Sequence, residues 1–566
     1  MGRTYKKLRP TLKGRETAMR KLLLSSLCLS LLLIGSPAQA NHAVGQLSNP
    51  VGAPLDGPPT LQKGPWSFIA NFPAGTGEEK PLGVDVEMFT RTQPDGVHRY
   101  VITSTTTMGF SIFDVTDPEL PVRVSDYGSA VCGAEAPAQQ MIDVLANGHD
   151  FDANSTAFGT VHGWEDDVQI TPNGMIAILG TDAAGRCHDP VWGGMEFVDL
   201  TDLTAPSLLG LIRLQGESHN TTIDHDRPWI VYNSNSDTGG NNMIDIVDFK
   251  SCLELDPSKC LPEVSRYQFD DADTSGVETP APSACHDITF ARHLLWGACI
   301  NTTLAWDPSG VVKNGKLTGT HITDPAAVGA DNACTTADPS AEAMVALTVV
   351  DCSAWTVEKG RDANLVNANL KPLLLIRHAG VNLAEDAPGR AGIQISHKSD
   401  PLAGEKLLGI NDERGGGLNA AGERTCPGAI WFFDIRDKKH PKIAQFPNGK
   451  DALFWPGAAR TVKTQGSNCT SHLFWEWKQE RNLVSAAWYS SGTQVFRYHS
   501  DFSTTPATVT FTNRYTYVLP GASTWTSRVF REAIAEDGTR TLYFVATDIA
   551  RGFDFFKLTL PARKHG

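Results

Sequence analysis

The sequence lacks the short motifs of several common enzyme classes. It contains no C-x-x-C pair, so a thioredoxin-like redox centre or a zinc ribbon has no support. A G-x-S-x-G turn is also missing, which disfavours a hydrolase with a nucleophilic serine. Neither a phosphate-binding G-x-x-x-x-G-K-[ST] loop nor a dinucleotide fingerprint followed by a helix is present. Long amphipathic helical patterns are nearly absent, and the chain is therefore expected to consist mainly of strands.

Positive charge is scarce beyond the first 40 residues. Those residues carry eight Lys or Arg and one Glu, so the rest of the chain has a net charge of −21 within the total of −14. An acidic protein of this kind is not expected to bind nucleic acid or anionic membranes. The charge is compatible with cation binding.

An export signal is predicted over residues 1–40. Met19, Arg20 and Lys21 precede an apolar run from Leu22 to Ile34, and an Ala-x-Ala-like cleavage site follows. This order is typical of a secretory signal peptide, with Met19 as an alternative start and an uncleaved anchor as the alternative interpretation. No later run approaches the roughly 20 apolar residues of a membrane helix. We therefore expect a secreted, periplasmic or cell-surface protein without a membrane span in the mature chain.

The cysteines favour disulfides. Cys28 lies in the predicted signal, and the ten that remain are an even number in an exported protein. The alternative is that some are buried free thiols. The pairs we predict are Cys252 with Cys260, Cys285 with Cys299, Cys334 with Cys352, Cys132 with Cys187, and Cys426 with Cys469.

An internal repeat dominates the chain after the predicted signal. Each unit has an apolar strand that ends in Asp, followed by a polar turn, a Pro and another apolar strand. Three copies read S-I-F-D-V-T-D-P-E-L-P-V at 111–122, M-E-F-V-D-L-T-D-L-T-A-P at 195–206 and I-W-F-F-D-I-R-D-K-K-H-P at 430–441. Seven such units, each preceded by another apolar strand, predict an all-β, seven-bladed β-propeller. Residues 66–72 could close the last blade as its outer strand.

The predicted domain boundaries follow from this repeat. A linker covers 41–61, the propeller covers 62–562 with an insertion at about 301–375, and a tail covers 563–566. The I-F-D-V-T-D-P core and its copies resemble LVIVD-repeat proteins, which are secreted or surface propeller-like proteins. The resemblance covers most of the mature chain. The match to the repeat pattern is specific for blades 1, 2 and 5 and loose for blade 4. It implies the propeller and export, and implies little about chemistry.

Four histidines occupy matched positions before the second strands of consecutive units. They are His219, His286, His397 and His472. The first strand of each blade lines the channel of a propeller, so these residues could form a ring that binds one divalent transition metal such as Zn, Cu, Fe, Mn or Ni. The alternative is structural hydrogen bonding. Glu165 and Asp166 in blade 2 and Arg528 in blade 7 fall at corresponding positions, and blade 1 offers Asp85 or Glu87.

Other polar and aromatic residues near the blade ends allow several roles. Asp237, Asp412 and Glu413 follow second strands and could bind calcium, although a role in turns is favoured. Trp164, Trp475, Trp477 and Trp488 could stack on a flat ligand or fill the space between blades.

Three functions remain open from the sequence, the third being a purely structural envelope protein. The first is an exported binding or interaction module with an extracellular or periplasmic ligand or protein. The second is a metal-dependent extracellular oxidoreductase or polysaccharide lyase, in which Glu165 or Asp166 acts as base or orients a ligand and Arg528 neutralises an anionic substrate. A purely structural envelope protein would need neither a metal nor a pocket.

Overall fold

The computed structural model describes most of the chain after residue 58. The described residues are 59–73, 83–105, 109–128, 167–181, 193–214, 218–234, 243–268, 285–299, 302–322, 366–377, 393, 396–413, 424–425, 428–455, 461–462, 471–480, 482–548 and 551–562. The predicted signal peptide and three predicted disulfides, those of Cys132, Cys334 and Cys426 with their partners, lie outside these ranges.

Seven antiparallel sheets form the blades of a seven-bladed β-propeller, as the repeat predicts. In the order of pairing, blade 1 contains Gly83–Gln93, Gly96–Thr105, Gly109–Asp114 and Val122–Tyr127; blade 2 contains Val168–Ile170, Ile176–Thr181, Gly193–Asp199 and Ser207–Leu214; blade 3 contains Asn220–Ile223, Ile230–Ser234, Met243–Asp248, Glu263–Gln268 and His321–Ile322; blade 4 contains Asp287–Ala291, Leu294–Cys299, Thr302–Asp307 and Lys371–Arg377.

The remaining blades and minor elements complete the molecule. Blade 5 contains Ser396–Leu402, Leu407–Asp412 and Ile430–Asp434, with Lys442–Ile443 and Leu453–Phe454 on its outer side; blade 6 contains Phe474–Glu476, Leu483–Ala487, Thr493–Asp501, Thr508–Val518 and Leu61–Lys63; blade 7 contains Thr524–Ile534, Arg540–Asp548, Gly552–Leu560 and Trp66–Phe72. Two small ribbons pair Val312–Lys313 with Lys316–Leu317 and Arg424–Thr425 with Thr461–Val462, and Lys250–Glu254 forms a 3₁₀ helix.

The first strands of the blades surround a common axis. Each contacts the first strand of the next blade, and the series returns from blade 7 to blade 1. The ring is closed by Trp66–Phe72, which pairs with Gly552–Leu560 as the predicted outer strand of blade 7. Among the described residues no helix is long and apolar enough to span a membrane.

The repeated Asp has a structural role at the end of the third strand. The Asp114 side chain accepts a hydrogen bond from the Thr116 backbone amide at 2.8 Å, and Asp199 accepts one from Thr201 at 2.7 Å. Asp248, Asp307 and Asp434 do the same in blades 3, 4 and 5. A carboxylate that bonds the amide two residues later stabilises the turn, which explains why the repeat keeps Asp there.

Neighbouring blades are held together by apolar packing and by side chains that reach between inner strands. One apolar cluster joins blades 5 and 6 through Phe432, Phe454 and the fully buried Trp488. Inner-strand amides find acceptors on the preceding blade: Ile288 donates to the Asn220 side chain at 2.9 Å, and Phe290 donates to Thr222 at 3.0 Å. These contacts satisfy backbone groups that no neighbouring strand of the same sheet reaches.

Two of the predicted disulfides are present. Cys252 is bonded to Cys260, and Cys285 is bonded to Cys299. The predicted insertion at 301–375 contains propeller strands at both ends. It begins with the third strand of blade 4, and its last residues belong to the outer strand Lys371–Arg377.

Candidate metal centre

Each of the four histidines lies at or just before the start of an inner strand. The backbone amides of His219, His286 and His472 donate to the second strand of their own blade, at Ser234, Ala298 and Ala487 respectively. His397 is the second residue of the inner strand Ser396–Leu402, where the pairing with the second strand shifts register. Equivalent placement in four consecutive blades brings the side chains to one level of the channel.

The four imidazoles form a continuous arc. Ring centroids are 4.5 Å apart for His219 and His286, 4.2 Å for His286 and His397, and 4.0 Å for His397 and His472. His219, His397 and His472 are buried, and the side chain of His286 is 13% exposed. The arc therefore faces the interior of the channel.

Glu413 places a carboxylate within this arc. Its Oε2 lies 3.7 Å from Nδ1 of His286 and 3.7 Å from Nε2 of His397, and its Oε1 lies 3.7 Å from Nε2 of His472. The sequence favoured a turn role for Glu413. In the structure Ser396 pairs with Asp412, so Glu413 lies beside the start of the inner strand, a register that the sequence did not indicate.

Hydrogen bonds orient both the His472 ring and the carboxylate. Nδ1 of His472 lies 2.8 Å from the Trp525 carbonyl, an acceptor, so Nδ1 carries the proton. In the neutral ring, Nε2 then presents its lone pair toward Oε1 of Glu413. The Tyr489 hydroxyl donates to that same Oε1. A cation between Nε2 and Oε1 would be attracted by both atoms.

The donor set matches the needs of a transition metal. Two trios, His219 with His286 and His397, and His397 with Glu413 and His472, each offer ligand atoms within 4.8 Å of one another. Ligands of one Zn²⁺ lie at about 2.0–2.2 Å from the ion and hence no more than about 4.4 Å apart. Binding therefore requires only small inward movements. Imidazole with carboxylate suits Zn, Cu, Fe and Ni better than Ca, because Ca²⁺ takes six to eight oxygen ligands.

The opposite half of the channel has carboxylates and arginine in place of histidine. Burial raises the pKa of both Asp85 and Asp167, and the charge of Asp85 raises the pKa of Asp167 further. Asp167 also accepts from the Thr221 amide at 2.6 Å. The predicted catalytic candidates Glu165 and Asp166 lie outside the described residues. The residue that lies beside Asp85 is Asp167, which follows them in the sequence.

Arg528 is placed at this level by the inner strand of blade 7. Its Nη1 donates to Oε1 of Glu87 at 2.6 Å and to the Val86 carbonyl. Burial lowers the Arg528 pKa, but the charges of Glu87, Asp85 and Asp167 outweigh it and the net shift is upward. The guanidinium is thus already offset by a carboxylate of blade 1.

A cavity of about 500 Å³ extends along the channel from the histidine arc. His397 and Trp525 line the cavity, and both contact His472, so one wall is shared with the arc. Lys398, Asp400, Trp475 and Glu476 also line it. Burial raises the pKa of Asp400 to about 6, although the positive charge of Lys398 lowers this pKa in part. Burial also raises the pKa of Glu476 to about 7. Sequence reasoning did not identify Lys398, which directly follows a predicted ligand.

Comparisons with known proteins add little to this picture. No protein-family model matches the sequence, so the resemblance to LVIVD-repeat proteins stays a prediction, and no curated protein sequence matches either. Among solved structures, the chain is similar to one described as COPII on membranes, outer coat vertex (9% identity, TM-score 0.40, 86% of each chain covered).

Two further solved structures are similar at the same low level. One is the Pseudomonas aeruginosa periplasmic gluconolactonase PpgL (10% identity, TM-score 0.36, 76% of this chain and 88% of that chain). The other is Saccharomyces cerevisiae Sqt1 (8% identity, TM-score 0.36, 82% of each chain). Similarity at these values carries no argument about function.

Proposed function

We propose that this protein is an exported metal-dependent enzyme with one divalent transition metal in the channel of its propeller. The observation that carries the proposal is the convergence of His286, His397 and His472 on the carboxylate of Glu413, with His219 joined to His286 and His397 in a second trio of possible ligands. A ring needed only for inter-blade hydrogen bonding has no reason to gather three imidazoles around one acid. The two disulfides support export, because structural disulfides are typical of oxidising compartments.

The cavity supports catalysis more than simple metal storage. It opens one side of the arc to a small molecule, whereas structural metal sites are usually closed by their ligands. When bound, the metal would supply Lewis-acid polarisation of a substrate oxygen. Asp167, whose pKa is raised by burial and by the charge of Asp85, would then be a candidate to transfer a proton across the channel. A small-molecule oxidoreductase or lyase fits this arrangement.

Metal content of the purified protein tests the proposal. We expect about one equivalent of Zn, Cu, Fe, Mn or Ni by elemental analysis, loss of that metal on dialysis against a chelator, and recovery on addition of one divalent ion. His286→Ala and His397→Ala should reduce the bound metal sharply, because each removes a ligand that contacts Glu413.

His293→Ala is the matched control. His293 lies in blade 4 like His286, but its side chain is 79% exposed and pairs with Asp226 at 2.7 Å. We expect this variant to retain the metal. Folded wild-type protein that binds no transition metal after reconstitution would remove the enzyme proposal and leave the binding module.

A further inference from the structure

Lys398 is a buried cation at the edge of the histidine arc. It is 6% exposed and lines the cavity next to His397. Its ammonium donates to the Thr289 hydroxyl at 3.1 Å and lies 5.2 Å from the centre of the Trp475 ring. Both of these partners are neutral.

A buried ammonium with neutral partners favours an anionic ligand. Desolvation of an isolated charge costs several kcal/mol unless a counter-charge or hydrogen bonds offset it. The ammonium has three protons, and Thr289 accepts one of them. Within the described part of the chain, Lys398 forms no salt bridge, although its charge acts on Asp400, whereas Arg528, also beside Trp475, is bonded to Glu87. Arg99 and Lys478 line the cavity too but are exposed, so Lys398 is the buried cation that a ligand in this cavity can use.

The rest of the wall indicates the body of that ligand. Five aromatic side chains line the same cavity beside its carboxylates, so a ligand anchored at Lys398 has aromatic surface within reach: Trp475, Phe89, Phe290, Phe530 and Trp525. Inorganic anions would gain nothing from these rings, whereas an apolar or aromatic group would bury its surface against them.

We propose that Lys398 binds the carboxylate of a small organic acid with an apolar or aromatic body, and that this acid is the class of substrate on which the centre acts. The substrate role rests on the proposed function, but binding of the acid to Lys398 does not. The ammonium would hold the carboxylate at the level of Thr289 and Trp475, in the cavity that His397 also lines, and leave the body of the acid against Trp475.

Calorimetric titration with benzoate tests this site on the full-length mature protein. Chelator-treated and Zn²⁺-loaded protein are titrated separately, so that failure of the metal site does not abolish the result. Benzoate should bind both forms. Lys398→Met should weaken binding by about 10- to 100-fold, the usual contribution of a hydrogen bond to a charged group. Lys398→Arg should bind more tightly than Lys398→Met, and Lys439→Met, at an exposed lysine of the same blade, should match the wild type.

Two comparisons on the wild-type protein need no variant. Benzyl alcohol, which has the same ring and no charge, should bind more weakly than benzoate, and inorganic phosphate should bind more weakly as well. Benzyl alcohol binding as tightly as benzoate would show that charge does not select the ligand. Phosphate binding more tightly than benzoate would overturn the organic acid as the ligand. Unchanged benzoate affinity in folded Lys398→Met would remove Lys398 from the site.

Discussion

Tyr489 links the histidine arc to a strained point of the backbone. Its hydroxyl donates to Oε1 of Glu413, and its φ of +26° lies in the left-handed region that non-glycine residues seldom adopt. The conformation is held by the Tyr489 carbonyl, which accepts from the amides of Gly492 at 2.9 Å and Thr524 at 3.0 Å. Strain that persists beside a polar cluster is consistent with a positioning role for the side chain.

Tyr489→Phe should weaken metal binding without removing a ligand. Loss of the hydroxyl leaves Glu413 less well oriented toward His472, and partners of this kind commonly contribute 10- to 100-fold in metal affinity. Competition with a chromophoric chelator would measure the change, and the visible spectrum of Co²⁺-loaded protein should shift. Tyr515→Phe in the outer strand of blade 6 is the control. Wild-type affinity and an unchanged Co²⁺ spectrum in Tyr489→Phe would show that the hydroxyl does not position Glu413.

Some site residues could be predicted from the repeat and others could not. The four histidines could be predicted to lie together because equivalent positions of the blades meet at the axis of a propeller. This holds for any type of side chain at those positions. Asp167 directly follows the two predicted candidates, and the repeat pattern did not single it out. Lys398 lies within a register shift of its strand, and Glu413 directly follows the second strand of the same blade. Their directions depend on local pairing that the repeat pattern does not contain.

At the scale of strands, the Cys285–Cys299 disulfide fixes the hairpin that carries His286. It joins the residue before His286 to the end of the second strand of blade 4. The loop that it closes spans a sequence separation of 14. A cross-link of this length contributes about 3 kcal/mol by restricting the unfolded chain. The same bond limits how far His286 can move from the arc.

The double variant Cys285→Ala, Cys299→Ala should therefore lose both stability and metal affinity. We expect a fall of about 3 kcal/mol in the free energy of unfolding in urea, together with weaker metal binding in a chelator competition. The variant Cys252→Ala, Cys260→Ala provides the control, because that disulfide lies at the outer side of blade 3. It should lower stability while metal affinity stays at the wild-type value. Equal metal affinity in both variants would contradict the coupling of the first disulfide to the arc.

For the molecule as a whole, closure of the ring determines whether the channel site exists. The arc uses blades 3 to 6 and the acid-rich half uses blades 1, 2 and 7, so their separation depends on every blade. Trp66–Phe72, the second strand of the described chain, pairs with the last one, Gly552–Leu560. Trp66 packs on Tyr517, Phe544 and Phe556 at ring distances of 5.3 to 5.6 Å, and Phe72 packs on Phe113 at 5.0 Å. The closing strand thus contacts blades 6, 7 and 1 together.

Removal of residues up to 73 from the mature protein should open this closure. Gly552–Leu560 would become an exposed edge with unpaired amides and carbonyls, which favours pairing with another chain. We expect lower stability in urea, dimers or larger species by size-exclusion chromatography with light scattering, and loss of bound metal. A synthetic peptide of residues 59–73 should restore the monomer and the metal site by adding the missing strand. A peptide with Trp66 and Phe72 replaced by Ala should fail, because it keeps the backbone pairing but lacks the rings that bind the neighbouring blades. A truncated protein that remains monomeric and retains its metal would show that the ring is held by the other six blade contacts alone.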